Sequence, residues 1–229
     1  SGGRDSYNAL QLGFVRRSRS GLTMNSQYTF GRSYGTSTGS NEADTAGNNA
    51  RAVSEWDYDR GYNKFDIRHN FNASAVYELP IGKGQKYGSS MSSNANALIG
   101  GWEVGAIVNA RSGLPVNVFI TRPDVVFVDA RGTVFTTAAA GRTAVINTPG
   151  GGSSRATRRP DLIPGAGIYL NNDRSLLNPA AFSIPKPGTF GNFTRNGARG
   201  PNFRQIDLVL NKKFRINESA NVEFRTEVF

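Results

Sequence analysis

A regular alternation of polar and apolar residues between positions 66 and 77 constrains this chain more than any other feature. One set is apolar or aromatic and comprises Ile67, Phe71, Ala73, Ala75 and Tyr77. The other set is polar and comprises Asp66, Arg68, Asn70, Asn72 and Ser74. A period of two places the sets on opposite faces of a β-strand. Water-soluble sheets show this alternation, and so do outer-membrane barrels, whose apolar side chains face lipid and whose polar side chains face the lumen.

The same period recurs along the chain and predicts an all-β, antiparallel, up-and-down barrel segment of about eight strands with long outer loops. The predicted strands are 7–17, 22–30, 62–79, 102–111, a strand from Val116, 133–139, 205–211 and 222–228. The strand at 133–139 follows from counting strand directions, and it is preceded by the turn at 129–132. Pro123 argues against a paired strand around it, because proline lacks a backbone donor.

The alternation also predicts which side chains share a face of the sheet. The apolar face should carry Leu10, Leu12, Phe14, Ile67, Phe71, Val104, Ala106, Leu208 and Leu210. The polar face should carry Asn25, Gln27, Asn70, Asn72, Glu103 and Asp207.

Composition fits a barrel wall better than a soluble core. Hydrophobic residues make up 38% of the chain, and about half of each barrel strand is polar. No apolar run approaches the ~20 residues of a membrane helix. Cysteine is absent, which excludes disulfides and thiolate chemistry.

The net charge is +10, but the cations are scattered, which favours lipid head groups and lipopolysaccharide as partners over nucleic acid.

Four stretches carry a resemblance to a known family. They are YNALQLGFVRR from Tyr7, DRGYNKFDIRHNFNASAVYELPIGKG from Asp59, GGWEVGAIVNARSGLPVNV from Gly100, and NPAAFSIPKPGTFGNFTRNGARGPNFRQIDLVLNKKFRI from Asn178. In this order they resemble the barrel of the acidobacterial Oar-like TonB-dependent receptors of the outer membrane. The resemblance implies uptake of a small ligand without catalysis or a cofactor, energised by an inner-membrane complex acting through a plug domain.

The resemblance also sets an expectation for domain organisation. Residues 1–229 should form part of a single barrel domain, with the plug domain and the C-terminal strands absent. Phe229 supplies a terminal aromatic residue, but Glu223, Arg225 and Glu227 stand where a closing strand would carry apolar side chains. A minimal closed eight-stranded barrel is the rival interpretation.

Candidate ligand-binding residues lie in the predicted outer loops. Aromatic rings at Trp56, Tyr58 and Tyr62 stack on a ligand in one interpretation and belong to an interfacial aromatic girdle in the other. The basic loop residues Arg155, Arg158 and Arg159 complete the candidate ligand-binding set. Asp57 and Asp59 are candidate Ca²⁺ ligands, although their spacing matches no known calcium loop.

Catalysis finds little support in the sequence. His69 is the only histidine, and no GxSxG nucleophile motif is present. We therefore predict a non-catalytic outer-membrane receptor fragment. The alternative is a stand-alone secreted β protein with hydrolase or carbohydrate-binding activity.

Overall fold

The protein is described from a computed structural model. The structure describes residues 3–17, 20–36, 56–120, 122–147, 159–215 and 220–229. The chain divides into two compact units. The loop unit comprises Ser1–Asn8, Gly31–Ile67 and Gly113–Pro201, and the sheet unit comprises Ala9–Phe30, Arg68–Ser112 and Asn202–Phe229.

Antiparallel strands dominate the described residues. In chain order the strands are β1 (Asp5–Arg17), β2 (Leu22–Gly35), β3 (Gly61–Tyr62), β4 (His69–Glu78), β5 (Trp102–Arg111), β6 (Pro115–Val116), β7 (Val125–Asp129), β8 (Val134–Phe135), β9 (Arg142–Ile146), β10 (Asp161–Leu162), β11 (Phe182–Ser183), β12 (Ala198–Arg199), β13 (Phe203–Arg215) and β14 (Asn221–Val228). Among the described residues, a short helix, α1 (Ser93–Ile99), lies between β4 and β5, and 3-10 turns occur at Trp56–Asp59, Leu170–Asn172 and Pro179–Ala181. No helix among the described residues is long and apolar enough to cross a membrane. The predicted all-β antiparallel class is confirmed.

A seven-stranded sheet runs in the order β1-β2-β4-β5-β13-β14, with β3 paired to β2. β5 pairs directly with β13, from Arg111 opposite Phe203 to Trp102 opposite Lys212. Residues 112–202 therefore form one connection between neighbouring strands. β1 and β14 occupy the two ends of this order, and the described residues contain no ladder between them. This topology does not show the closed eight-stranded barrel. The prediction that the chain is part of a larger barrel stays a prediction.

The two strands predicted from Val116 and at 133–139 do not join the large sheet. β6 has only two residues and pairs with β12. β7 and β8 form the predicted antiparallel hairpin, but β9 pairs with the other edge of β7 to make a separate three-stranded sheet. The prediction was wrong here because Pro115 and Pro123 interrupt the backbone donors on either side of Val116, while β13 offers ten consecutive partners to β5.

The turn at 129–132 was predicted correctly. The Asp129 carboxylate accepts hydrogen bonds from the backbone N–H of Arg131 at 2.9 Å and of Thr133 at 2.8 Å. Gly132 has φ +82°, a left-handed conformation that glycine adopts without steric cost.

The strand predicted at 62–79 is interrupted between β3 and β4. The Asp66 N–H donates to the Asn63 carbonyl at 2.9 Å, which closes a turn instead of extending a ladder. Asp66 is buried, and its carboxylate accepts from the Ser33 N–H. Asp66 and Ile67 are thus not strand residues, because a local turn and a buried acceptor replace the sheet pairing.

The predicted faces are confirmed on the strands β2, β4, β5 and β13. Phe71 lies opposite Ala110, and Ala106 lies opposite Leu208. Directly opposed residues share a face, so these side chains define the apolar face of the sheet. The polar face carries Asn25, Gln27, Asn70, Asn72, Glu103 and Asp207. On β1, the side chains of Leu10, Leu12 and Phe14 are each more than half exposed. That they lie on the same face of the sheet as Phe71 and Leu208 stays a prediction.

Burial is distributed unlike that of a water-soluble protein. In the described part of the chain, the buried hydrophobic residues are Val126, Ala181, Phe193 and Ala198, all in the loop unit. The apolar face of the sheet remains open, with Ile206 61% exposed and Leu208 50% exposed. An apolar surface of this kind is unfavourable in water and suits contact with lipid.

Candidate functional site

The apolar face is bounded at both ends by aromatic side chains. At one end the Lys212 ammonium lies over the rings of Trp102 (5.6 Å) and Phe214 (5.0 Å) and donates to the Gly100 carbonyl. At the other end Tyr28 Oη lies 2.8 Å from His69 Nδ1, which makes a hydrogen bond whose direction depends on the tautomer. Long cationic side chains place their charge beside the polar boundary while their stems contact apolar surface.

The spacing between these ends fits a membrane. Trp102 and Ala110 are eight positions apart on β5, and Ala110 lies opposite Phe71, which in turn lies opposite Tyr28. Eight residues at ~3.4 Å each span about 27 Å along the strand, or about 20 Å along the membrane normal at a tilt of ~40°. This is close to the ~25 Å apolar band of outer-membrane barrels.

The polar face is ordered in rows across the strands. Gln27, Asn72, Asn109 and Gln205 are directly opposed on β2, β4, β5 and β13 and make a row of four amides. Gln205 Nε2 donates to Asp207 Oδ1 at 2.9 Å. Toward the other end of the strands, Lys213 Nζ pairs with Glu103 Oε1 at 2.7 Å. The face thus offers hydrogen-bonding groups toward both ends of the strands.

The loop unit is held together by buried and half-buried guanidinium groups. Arg195 donates to the carbonyls of Thr36 at 2.6 Å and Gly35 at 2.8 Å. Burial lowers the pKa of Arg195 to about 10, while the nearby Asp59 carboxylate raises it. Arg199 forms an ion pair with Asp66 and donates to the Gly113 carbonyl at 3.2 Å. These donors bind groups of the protein itself, so the contacts fasten loop segments together.

Three of the predicted site residues come together in the loop unit. The Arg159 guanidinium lies 3.9 Å from the centroid of the Tyr58 ring and 3.8 Å from Asp59 Oδ1. Burial lowers the pKa of Arg159, and Tyr58 and Asp59 oppose that shift. The Tyr58 ring also stacks on Phe190 at 4.2 Å. Tyr58 is therefore packed between a guanidinium and a ring, and its face is occupied from within the protein.

The remaining predicted ligand residues are placed differently. Tyr62 packs edge-on against Tyr34 at 5.3 Å, and its carbonyl accepts from Asn196 Nδ2 at 2.6 Å. Trp56 begins the 3-10 turn at Trp56–Asp59. Arg155 and Arg158 lie outside the described residues.

The two candidate calcium ligands have separate cationic partners. Asp57 is exposed and lies 3.6 Å from Arg60, whereas Asp59 is buried beside Arg159. Over the ranges that the structure describes, no group of three or more His, Cys, Asp or Glu side chains converges in a way that could hold a metal ion. Calcium binding stays a prediction, and the carboxylate of Asp59 would have to leave Arg159 to take part.

The contacts of Arg195 with Gly35 and of Arg199 with Asp66 were not predicted from the sequence. One signal was available, since the Asn196-Gly197 pair is typical of a tight turn. Asn196 has φ +54°, and the Gly197 N–H donates to the Thr194 carbonyl at 3.0 Å. The turn presents Arg195 and Arg199 on either side, but their partners lie far away in sequence and could not be read from it.

An antiparallel sheet with an open apolar face between aromatic rows, and a polar face on the other side, defines the wall of an outer-membrane β-barrel. Residues 1–229 match the family described as an outer membrane beta barrel domain, and the chain belongs to that family. A search of curated proteins finds no match, and a search of solved structures finds none either. The protein is located in the outer membrane, as predicted.

Proposed function

We propose that this chain forms part of the barrel of a TonB-dependent receptor, which takes up a ligand across the outer membrane and leaves it chemically unchanged. The observation that carries the proposal is the connection between β5 and β13. These strands are neighbours, yet residues 112–202 between them contain folded sheets. Arg159 and Arg199 of this connection pair with Asp59 and Asp66 of the connection between β2 and β4. Binding residues concentrate in loops held on a rigid scaffold, so a large folded connection supports selection of a ligand.

The sides of the membrane follow from the lengths of the connections. Residues 36–68 and 112–202 leave the same end of the sheet, because β2 and β5 run in the same direction. The hairpin connections at 18–21 and 216–220 leave the opposite end. Long connections of outer-membrane barrels are extracellular and short ones periplasmic, so the connections 36–68 and 112–202 are extracellular in this proposal.

The proposal includes partners on both sides. The basic loops, such as that of Arg60 and Lys64, contact lipopolysaccharide, and the apolar face contacts lipid. An inner-membrane complex supplies energy through a plug domain, and nucleic acid has no role. The secreted alternative fits less well, because membership of an outer-membrane family supports retention in the membrane.

Energised uptake can be tested in whole cells of the native bacterium. A strain lacking the gene and a strain carrying the full-length gene are given labelled ferric siderophore, cobalamin, maltohexaose or trilysine, each with and without a protonophore. We expect one of these probes, or another bulky solute of its class, to enter only when the gene is present and the proton gradient is intact. Gene-dependent uptake that continues with the protonophore would identify a passive pore and refute the receptor.

A further inference from the structure

A glycine creates a hollow in the polar face of the sheet. Val76, Gly105 and Val209 are directly opposed on β4, β5 and β13, so the middle strand lacks a side chain in this row. The hollow has a volume of about 260 Å³. A Cβ added to Gly105 would lie 3.4 Å from Val209 Cβ, which is an ordinary contact distance. The hollow therefore exists because residue 105 has no side chain.

Asn211 presents an unsatisfied acceptor at this hollow. This residue is only 9% exposed and lines the hollow. Its Nδ2 donates to Glu103 Oε2 at 3.0 Å, and since a carboxylate only accepts, this contact fixes the orientation of the amide. In the described part of the chain, Asn211 Oδ1 is buried and has no hydrogen-bond donor. A buried acceptor without a donor is unfavourable, and a ligand N–H at the hollow would satisfy it.

The charges around the hollow favour a cation. Glu103 is already paired with Lys213 at 2.7 Å, and Arg225 pairs with Glu227 at 2.5 Å. Glu223 also lines the hollow and lies opposite Lys213, whereas Arg225 lies opposite Asn211. The three carboxylates Glu103, Glu223 and Glu227 outnumber the two cations Lys213 and Arg225, so the charge around the hollow is negative. A cation would reduce this charge, whereas an anion would add to it.

The floor of the hollow is apolar. The side chains of Val76 and Val209 flank Gly105, and Ile107 lies in the next row toward the outer end. A fully hydrated inorganic cation gains little from such a surface. An organic cation with a short hydrocarbon body buries apolar area here while its N–H groups reach Asn211 and Glu223.

We propose that the Gly105 hollow is a binding subsite for the cationic head of the transported ligand, an ammonium or amidinium group on a short apolar stem. Asn211 Oδ1 accepts a hydrogen bond from the head, Glu223 supplies the countercharge, and Val76 and Val209 contact the stem. This inference rests on the proposed uptake function, because it names the ligand class that passes along the polar face.

The test compares three probes of nearly equal shape. Benzylamine is a cation, benzyl alcohol is neutral and benzoate is an anion. Binding of each to the full-length protein in detergent micelles is measured by calorimetry, with empty micelles as the blank. We expect benzylamine to bind at least about tenfold more tightly than benzyl alcohol, and benzoate to show no saturable binding. Equal affinity for the three probes would overturn the proposal.

Matched variants locate the binding on the barrel. Gly105→Val fills the hollow and should weaken benzylamine binding at least tenfold, and Glu223→Gln should weaken it several-fold. Gly13→Val is the control, because Gly13 lies in β1 with no atom within 4 Å of an added Cβ, and it should bind like the native protein. Far-ultraviolet circular dichroism checks that each variant is folded.

Two outcomes separate this inference from the function on which it rests. If Gly105→Val folds and binds benzylamine like the native protein, the subsite is refuted whatever the uptake assay shows. If benzylamine binds as expected but the protonophore never affects uptake, the energised receptor is refuted and the hollow remains a cation site of a passive pore.

Discussion

Removing the Asp66 carboxylate should loosen the loop unit, because this buried group binds both Arg199 and the Ser33 N–H. Asp66 is 1% exposed and the side chain of its ion-pair partner Arg199 is 15% exposed. Asp66→Ala leaves that guanidinium without its counterion and takes the acceptor from the Ser33 N–H. Breaking one partner out of a buried pair typically costs ~3–5 kcal/mol.

The structure places the expected cost at the lower end of this range. Arg199 keeps hydrogen bonds to the carbonyls of Asp66 at 3.0 Å and Gly113 at 3.2 Å, and it lies 5.1 Å from the centroid of the Tyr62 ring. These contacts partly compensate the charge, so we expect a loss of about 3 kcal/mol. At ~1.4 kcal/mol per factor of ten, local opening becomes about 100-fold more frequent.

Hydrogen exchange of the full-length protein measures this opening directly. The backbone N–H of Asn63 donates to Ser33 at 3.2 Å, and that of Gly200 donates to Leu114 at 2.9 Å. Both amides should lose about 100-fold in protection when Asp66 is replaced, while amides in β5 keep theirs. Asp57→Ala is the control, since the Asp57 side chain is 92% exposed and exposed ion pairs contribute little. Protection that falls equally in both variants, or in neither, would refute the reasoning.

Three further changes test the sheet and the loop unit. Leu208→Arg places a charge on the apolar face opposite Ala106 and should cost about 2–4 kcal/mol in urea titrations of the protein in lipid vesicles, whereas Gln205→Arg on the polar face should change the midpoint little. Tyr28→Phe removes the hydrogen bond to His69 and should cost about 1 kcal/mol in the same titration; an unchanged midpoint would show that water replaces the contact. Gly61→Ala brings a methyl group onto the Arg195 carbonyl and should make the loop unit sensitive to cleavage by thermolysin. Gly132→Ala is the control: its methyl group meets open space at φ +82°, and it should lower the free energy of unfolding by only about 1 kcal/mol. Equal cleavage of both glycine variants would contradict the close approach at Gly61.

Strands whose pattern is local could be predicted from the sequence. The bounds Trp102–Arg111 of β5 agree with the prediction, because five apolar residues alternate there without interruption and a tight Ser-Gly-Leu-Pro segment follows. The assignment failed where pairing depends on distant residues. Nothing near Arg111 indicates that its neighbour is Phe203, since alternation specifies faces but not partners.

The candidate site shows the same division. Tyr58, Asp59 and Arg159 were each singled out by residue type, and the structure places them in contact. Aromatic and charged residues in an outer loop suggested a ligand, but in the structure they bind one another. The hollow at Gly105 could not be foreseen, because it depends on the register of three strands that places Val76 and Val209 on either side of the glycine.

The guanidinium contacts of the loop unit also determine when that unit can fold. Arg159 reaches a carbonyl 101 positions away at Tyr58, Arg199 a carboxylate 133 positions away at Asp66, and Arg195 a carbonyl 160 positions away at Gly35. Contacts between such distant residues carry a large loop-closure cost and form slowly. The hairpin of β13 and β14 needs only a short closure. This hairpin can therefore form before the guanidinium contacts, whereas the ladder of β5 and β13 must itself close the connection of residues 112–202.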